Sequence, residues 1–285
     1  MHWLLMALAL AAAPAAAQDQ SLLARGTYLM NSIVACGNCH VQRGDKGQPL
    51  REKGLSGGMV FDEEPFKAYA PNITPDAETG IGSWTDAQLA KAIREGVRPD
   101  GTVIGPPMPI MFYRGMADDD LKAIVAYVRA QPAVKNKVPK SEYRIKLPPS
   151  YGPEVKTVVA PSRKDTLKYG AYLAGPMGHC LDCHTPRVKG IPDLSKAGAG
   201  GNAFRGPWGV AVSRNLTPHE HGLKGWSDAE IARAIREAVR KDGTPLNPPM
   251  AYAWYRNIRD EDMKPLVAYL RSLKPLPLGG GPARP

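Results

Sequence analysis

The sequence predicts an all-α fold in which two tandem copies of one helical domain are joined by a proline-rich linker. Three observations lead to this prediction. Most of the sequence occurs twice in the same order, each copy contains helix start signals and helix-period apolar stripes, and no segment shows the alternation typical of a strand. With 43% hydrophobic and 22% charged residues, the chain has the composition of a folded globular protein.

The repeat extends over most of the 285 residues, at an almost constant spacing. The pattern Gly-x-Tyr-Leu begins at Gly26 and again at Gly170, and in both copies it precedes a pair of cysteines. Further matched segments are Asn72–Pro75 with Asn215–Pro218, Trp84–Asp86 with Trp226–Asp228, Ile93–Glu95 with Ile235–Glu237, and Pro106–Met108 with Pro248–Met250. Because the spacing barely changes, the two halves are two copies of one module.

Each module is predicted to contain three main helices, the first of which ends just before the cysteine pair. The second begins with a capping box, Thr85 with Gln88 in one copy and Ser227 with Glu230 in the other. The third has acidic residues in its first turn, where the helix dipole favours negative charge. Its apolar residues recur at helical spacing, which predicts one buried face: Leu121, Ile124, Val125 and Val128, and Met263, Leu266, Val267 and Leu270.

The predicted boundaries divide the chain into five segments. Residues 1–17 form a short apolar stretch that ends in small residues, as in a cleaved secretory signal peptide, with cleavage near Ala17. Its apolar part is shorter than the ~20 residues that a membrane-spanning helix needs. Residues 18–131 and 163–275 are the two domains, residues 132–162 a semi-rigid proline-rich linker, and residues 276–285 a flexible tail. The mature protein is therefore expected to be exported to the periplasm without a membrane anchor.

All four cysteines lie in two C-x-x-C-H motifs, Cys36 to His40 and Cys180 to His184. This spacing is the attachment signature of c-type haem: Cys36, Cys39, Cys180 and Cys183 would form thioethers with the two porphyrins, and His40 and His184 would bind the irons. Paired cysteines also occur in zinc sites, in thioredoxin-like dithiols and in disulfides. Two copies at matching places in an exported chain favour two covalently bound haem c groups.

The sixth iron ligands are predicted to be Met108 and Met250. Of the ten methionines, these two form the pair at matching positions in both modules, and each follows Pro-Pro. After His2, His40 is the only histidine of the first module, so a distal histidine from that module is ruled out. The second module also contains His179, His219 and His221, which have no counterparts. A thioether ligand raises the reduction potential relative to bis-histidine haem, and a filled sixth position favours electron transfer over bond chemistry.

The repeated Trp84, Trp226, Asn72, Asn215, Arg94 and Arg236 are candidate partners of the haem propionates. Indole and amide N–H groups and guanidinium groups all donate hydrogen bonds to carboxylates. The alternative is ordinary packing and helix surface, and the sequence leaves both open.

The layout resembles tandem diheme proteins of the class I cytochrome c family, and is similar to the cytochrome c subunits of bacterial periplasmic and membrane-bound alcohol and sugar-acid dehydrogenases. The pattern consists of C-x-x-C-H, Asn-Ile-Thr-Pro at 72–75, Gly-Ile-Gly-x-Trp-Thr-Asp at 80–86, Asp-Gly and Pro-Pro-Met. The likeness spans residues 26–273 and implies the same roles for His40, His184, Met108 and Met250. Those subunits typically have three haems and several have a C-terminal anchor, whereas two haem sites and no anchor are expected here.

The formal net charge is +10, and most of the excess lies in residues 151–285. A basic second module is expected to dock on an acidic redox protein or a terminal oxidase, while a periplasmic dehydrogenase supplies the electrons. Nucleic-acid binding is not expected in an exported chain without a basic cluster interleaved with aromatic residues. Association with a membrane would be peripheral, through a complex.

The predicted function is one-electron transfer without catalytic activity of its own, by a free carrier or a dehydrogenase subunit. The first alternative is a diheme peroxidase, which needs an iron with a releasable sixth ligand; only the second module, with its extra histidines, is a candidate. The second is a structural or sensing protein in which haem gates assembly. A thiosulfate-oxidising enzyme with a cysteine ligand is disfavoured because no cysteine is left over.

Overall fold

The structure, a computed structural model, describes residues 9–45, 47–206 and 208–279. Within these residues, each module has five α-helices in the same order. Those of the first are α1 (Ala9–Met30), α2 (Gly37–His40), α3 (Asp86–Glu95), α4 (Ile110–Tyr113) and α5 (Asp118–Arg129). Those of the second are α6 (Thr166–Tyr172), α7 (Cys180–Cys183), α8 (Asp228–Glu237), α9 (Tyr252–Tyr255) and α10 (Asp260–Ser272).

The predicted capping boxes are confirmed at the starts of α3 and α8. Thr85 Oγ1 accepts a hydrogen bond from the backbone N–H of Gln88 at 3.2 Å, and the Gln88 side chain accepts one from the Thr85 backbone at 2.8 Å. Ser227 and Glu230 make the same pair of bonds. Two backbone donors that the helix itself leaves unpaired are therefore satisfied at each start.

The first and third long helices of each module cross closely, α1 on α5 and α6 on α10. A Cβ atom added to Gly26 would lie 2.0 Å from the carbonyl oxygen of Ala123, and one added to Gly170 would lie 2.1 Å from that of Pro265. Only glycine permits this approach, which explains the repeated Gly-x-Tyr-Leu pattern. The predicted apolar faces of α5 and α10 are buried in the core, as expected.

Short antiparallel sheets accompany the helices, so the prediction of an all-α fold is incomplete. Strand β1 (Val60–Glu63) pairs with β2 (Phe66–Tyr69), which pairs with β3 (Glu142–Tyr143). In the second module β4 (Arg187–Val188) pairs with β5 (Ile191–Pro192), and β6 (Ala203–Gly206) with β7 (Gly209–Val212). At two to four residues each, these strands are too short to show alternation in the sequence.

Residues 132–162, the predicted linker, lie along the first module. Strand β3 belongs to this segment and extends the first module's sheet. Farther on, the Tyr151 hydroxyl donates to the Ile104 carbonyl at 2.8 Å, and the backbone N–H of Asp118 donates to the Val158 carbonyl at 2.9 Å. These contacts bind the segment to the module at several points.

Both ends of the chain extend beyond the described residues. Residues 1–8 of the predicted signal peptide and residues 280–285 of the predicted tail lie outside them. At the start of the tail, the Leu276 carbonyl accepts a hydrogen bond from Asn215 at 2.7 Å, and the Gly279 N–H donates to the Ala199 carbonyl at 3.0 Å. In the part of the chain that is described, no helix combines the length and apolar character needed to span a bilayer.

Candidate haem-binding sites

The two attachment motifs begin with the same backbone bend. The turn before each motif is closed by a hydrogen bond between residues five apart. Val34 N–H donates to the Leu29 carbonyl at 3.1 Å, and Gly178 N–H donates to the Leu173 carbonyl at 2.8 Å. Ala35 and His179 follow with φ of 49° and 39°, in the left-handed region. This conformation costs a residue with a Cβ about 1 kcal/mol or more. The surrounding structure therefore imposes the bend on both modules alike.

No two of the four cysteines are joined in a disulfide, and all four line one cavity. Burial raises the pKa of the Cys39 thiol to about 11 and that of Cys36, Cys180 and Cys183 to about 12. Before haem attachment the thiols are therefore protonated at neutral pH. Among the residues with described positions, no group of three or more histidine, cysteine or acidic side chains is arranged to hold a metal ion.

Each motif's histidine is oriented by a backbone carbonyl. Nδ1 of His40 lies 2.9 Å from the carbonyl oxygen of Pro71, and Nδ1 of His184 lies 2.7 Å from that of Arg214. A carbonyl only accepts, so Nδ1 is the protonated nitrogen and Nε2 keeps its lone pair. Burial lowers the pKa of both imidazoles, which favours the neutral form that binds iron. A backbone carbonyl has no signature in the sequence. The one available sign of these two histidine partners is that Pro71 and Arg214 occupy matching places in the repeat.

Met108 and Met250 line the same cavity as the histidines. Each follows a cis Pro-Pro bond. The Met108 carbonyl accepts a hydrogen bond from the Ile110 N–H, and the Met250 carbonyl accepts one from the Tyr252 N–H, both at 2.9 Å. Tyr252 adds a difference between the modules: its hydroxyl donates to the Met250 sulfur at 3.4 Å, whereas an isoleucine, Ile110, occupies that place in the first module.

The two candidate haem sites share one continuous cavity of about 2540 Å³, which both motifs and both methionines line. A pocket for a single small molecule measures roughly 300–1,000 Å³, so this space suits more than one large group. Two residues that line it, Arg43 and Trp208, each have a buried side-chain N–H, at Nε and Nε1, without a hydrogen-bond partner in the protein. Haem propionates are acceptors that suit such donors, so the residues present fit the cofactor.

Four of the six candidate propionate partners bond to other groups of the protein. Arg94 and Arg236 form ion pairs with Asp118 and Asp260 at the starts of α5 and α10. The side chains of Asn72 and Asn215 bond to a threonine two residues on and to a backbone carbonyl near the end of their own module. Trp84 lines the cavity. Trp208, which sequence reasoning missed, has no counterpart in the first module.

Comparison with known proteins places these features in a family. The family model for cytochrome c matches residues 23–132 and again residues 168–274. A diheme cytochrome c-type protein of Cereibacter sphaeroides is 29% identical over 83% of this chain and 81% of its own length. The cytochrome c subunit of alcohol dehydrogenase (quinone) from Gluconobacter oxydans is 31% identical over 96% of this chain and 59% of that protein.

A third relative is the gluconate 2-dehydrogenase cytochrome c subunit of Pantoea cypripedii, 31% identical over 91% of this chain and 62% of its own length. The chain thus spans about three fifths of these two dehydrogenase subunits. Two cytochrome c domains, each with an attachment motif, account for two covalently bound haem c groups. On the strength of the two family-model matches, the chain belongs to the cytochrome c family.

Proposed function

We propose that this protein transfers single electrons in the periplasm between a dehydrogenase and a downstream acceptor, either as a free carrier or as a dehydrogenase subunit. The observation that carries the proposal is the pairing of the sites: two matched haem sites share one cavity, and each has an oriented histidine and a methionine on its wall. Iron with both axial positions filled has no place for a substrate, which suits electron transfer.

The proposed attachment residues are Cys36 and Cys39 for one haem and Cys180 and Cys183 for the other. The proposed iron ligands are His40 with Met108 and His184 with Met250. When bound, the haem supplies a one-electron redox couple. The protein contributes the imidazole orientation, through the Pro71 and Arg214 carbonyls, and a thioether that favours reduced iron.

A peroxidase is not favoured by the additional histidines of the second module. His219 and His221 lie with their rings 4.9 Å apart in an exposed loop, where His219 Nδ1 accepts a hydrogen bond from the His221 backbone. His179 lines the cavity, but its ring packs edge-on against Tyr113 of the first module at 5.6 Å. The proposal therefore keeps Met250 as the ligand and includes no catalytic residue.

The proposed location is the periplasm, because residues 1–17 have the pattern of a secretory signal. A dehydrogenase as donor is supported by the alcohol and gluconate dehydrogenase subunits among the relatives. An acidic redox protein or a terminal oxidase as acceptor is supported by the positive charge of residues 151–285. Membrane association would be peripheral, through the complex, and nucleic acid is not a proposed partner.

The test begins with the protein purified from a host that matures c-type cytochromes. Its intact mass should contain two haem additions, and stopped-flow mixing with a reductant and then an oxidant should show two one-electron equivalents taken up and released. Hydrogen peroxide turnover by the reduced protein, or failure to release electrons to any oxidant, would contradict the proposal.

A further inference from the structure

Each module places a tyrosine hydroxyl on a buried aspartate of the other module. Tyr28 in α1 donates to Oδ2 of Asp262 in α10 at 2.7 Å, and Tyr172 in α6 donates to Oδ2 of Asp120 in α5, also at 2.7 Å. The tyrosines occupy the same place in the repeat, and so do the aspartates. The two contacts, called here the Tyr–Asp pairs, are therefore reciprocal.

Each of the two hydroxyls makes a second hydrogen bond to the other module. Besides donating to the carboxylate, the Tyr172 oxygen accepts a hydrogen bond from the Ala117 backbone N–H at 3.1 Å, and the Tyr28 oxygen accepts one from the Arg259 backbone N–H at 3.2 Å. Asp262 is 0% exposed and Asp120 is 6% exposed. Hydrogen bonds to charged, buried acceptors are among the stronger ones in proteins.

Each aspartate also forms an ion pair with an arginine of its own module. Asp120 forms an ion pair with Arg25 at 2.8 Å, and Asp262 forms one with Arg163 at 2.9 Å. Tyr169, in the same module as Asp262, donates to the second oxygen of that carboxylate at 2.9 Å. The carboxylates are thus positioned by their own modules, and the hydroxyls of Tyr28 and Tyr172 reach them from the other module.

Neither tyrosine lines the haem cavity, but both lie on the helices that run into the attachment motifs. At the other end of the interface the two haem sites meet directly. The Tyr113 ring packs edge-on against His179, which precedes Cys180, and the Asn38 amide, inside the first motif, donates to the Pro249 carbonyl at 3.0 Å. A rotation of one module on the other would therefore change the separation of the two sites.

We propose that the two Tyr–Asp pairs fix the position of one haem site relative to the other, and so determine the rate at which an electron passes between them. The proposal rests on the proposed function. In that step one iron goes from ferrous to ferric and the other from ferric to ferrous, with no bond made and no proton moved. Tyr28 and Tyr172 are positioning residues for this transfer.

The test compares Tyr28→Phe, Tyr172→Phe and the double variant with Tyr127→Phe. Tyr127→Phe is the control, since the hydroxyl that it removes accepts a hydrogen bond from the Asn31 amide of its own module, at 3.4 Å. Spin labels on cysteines introduced at the exposed Lys122 and Lys264, one per module, report the distance between modules by pulsed electron resonance. The measurement uses the reduced protein with both haems present.

The double variant is expected to give a broader distribution of spin-label distances. The fraction of molecules in which the two modules have moved apart should rise roughly tenfold for each hydroxyl removed, which corresponds to the loss of one hydrogen bond to a charged group. Transfer between the haems should slow as that population grows, while the visible spectrum of each haem stays that of the parent. Tyr127→Phe should keep the narrow distribution of spin-label distances and the parent rate.

A narrow distribution of spin-label distances in the double variant would overturn the proposal. A broad distribution with an unchanged rate of electron transfer between the haems would also overturn it. If the double variant binds no haem, the single variants decide in the same way, with smaller expected shifts. A parent protein that passes no electron between its haems would count against the proposed function, and the distance measurement would still show whether the Tyr–Asp pairs hold the modules together.

Discussion

Gly37, inside the first attachment motif, lies directly against the indole ring of Trp254 in the second module. A Cβ atom added to Gly37 would come within 2.7 Å of the ring. The Arg51 guanidinium covers the ring at 4.8 Å and donates to the Ala253 carbonyl at 2.8 Å. The backbone of Gly37 has no left-handed φ. It is the second module that requires a glycine at this place, and the matching position of the second motif has a leucine, Leu181.

Gly37→Ala is expected to lower the free energy of unfolding by about 1–3 kcal/mol, the usual cost of overpacking. Denaturant unfolding of the haem-loaded protein measures it. Gly175→Ala is the control, because a Cβ added there meets nothing within 4 Å. Equal stability of the two variants would contradict the close contact with Trp254.

Met108→Ala and Met250→Ala are each expected to remove one methionine–iron bond. The oxidised protein should then lose about half of the weak absorption band at the red end of the visible spectrum, and the potential of the affected haem should fall because the thioether favours reduced iron. Met111→Ala is the control: Met111 is 49% exposed and aligns with Ala253 in the other module. An intact band in either variant would show that the substituted methionine does not bind the iron.

Tyr252→Phe is expected to lower the potential of the second module's haem and to leave the first unchanged. The Tyr252 hydroxyl donates to the Met250 sulfur, which weakens the sulfur as a donor to ferric iron. A hydrogen bond worth about 1 kcal/mol corresponds to roughly 40 mV for one electron. A redox titration that resolves the two haems tests this. Tyr255→Phe, on the same helix, removes a hydroxyl that bonds to Gly178 and should leave both potentials unchanged.

Asn72→Ala and Asn215→Ala are expected to destabilise the protein by about 1–3 kcal/mol each, because buried partners lose their bonds. The Asn72 amide donates to the Val134 carbonyl at 2.7 Å, and the Asn215 amide donates to the Leu276 carbonyl at 2.7 Å. Hydrogen exchange should rise around residue 134 in the first variant and around residue 276 in the second. Each variant is the control for the other. If either variant showed faster exchange around both residue 134 and residue 276, the two asparagines would not hold these segments independently.

The rate of electron transfer to an acidic partner is expected to fall as ionic strength rises, because salt screens the attraction of the basic second module. Stopped-flow rates over a salt series measure this, with a neutral small-molecule oxidant as the control. Rates that stay constant with the protein partner would exclude electrostatic docking as the route of encounter.

Local patterns were the part of the fold that could be predicted. The capping boxes at Thr85 and Ser227 involve residues three apart, and the apolar faces of α5 and α10 recur within two turns, so neighbours along the chain are sufficient to define them. The hairpins were missed because a strand of two to four residues has too few positions to show alternation. Pro71 and Arg214 were missed as histidine partners because a carbonyl is present at every residue.

The sequence alone establishes that one module occurs twice and that each copy has a C-x-x-C-H motif followed by Pro-Pro-Met, since both are patterns of residue type and spacing. Only the tertiary structure shows that both haem sites share one cavity and that Tyr28 reaches Asp262 while Tyr172 reaches Asp120. The physical reason is that these residues are distant in the chain. A tyrosine or an aspartate has the same side chain whichever partner it meets, and packing of the two modules selects that partner.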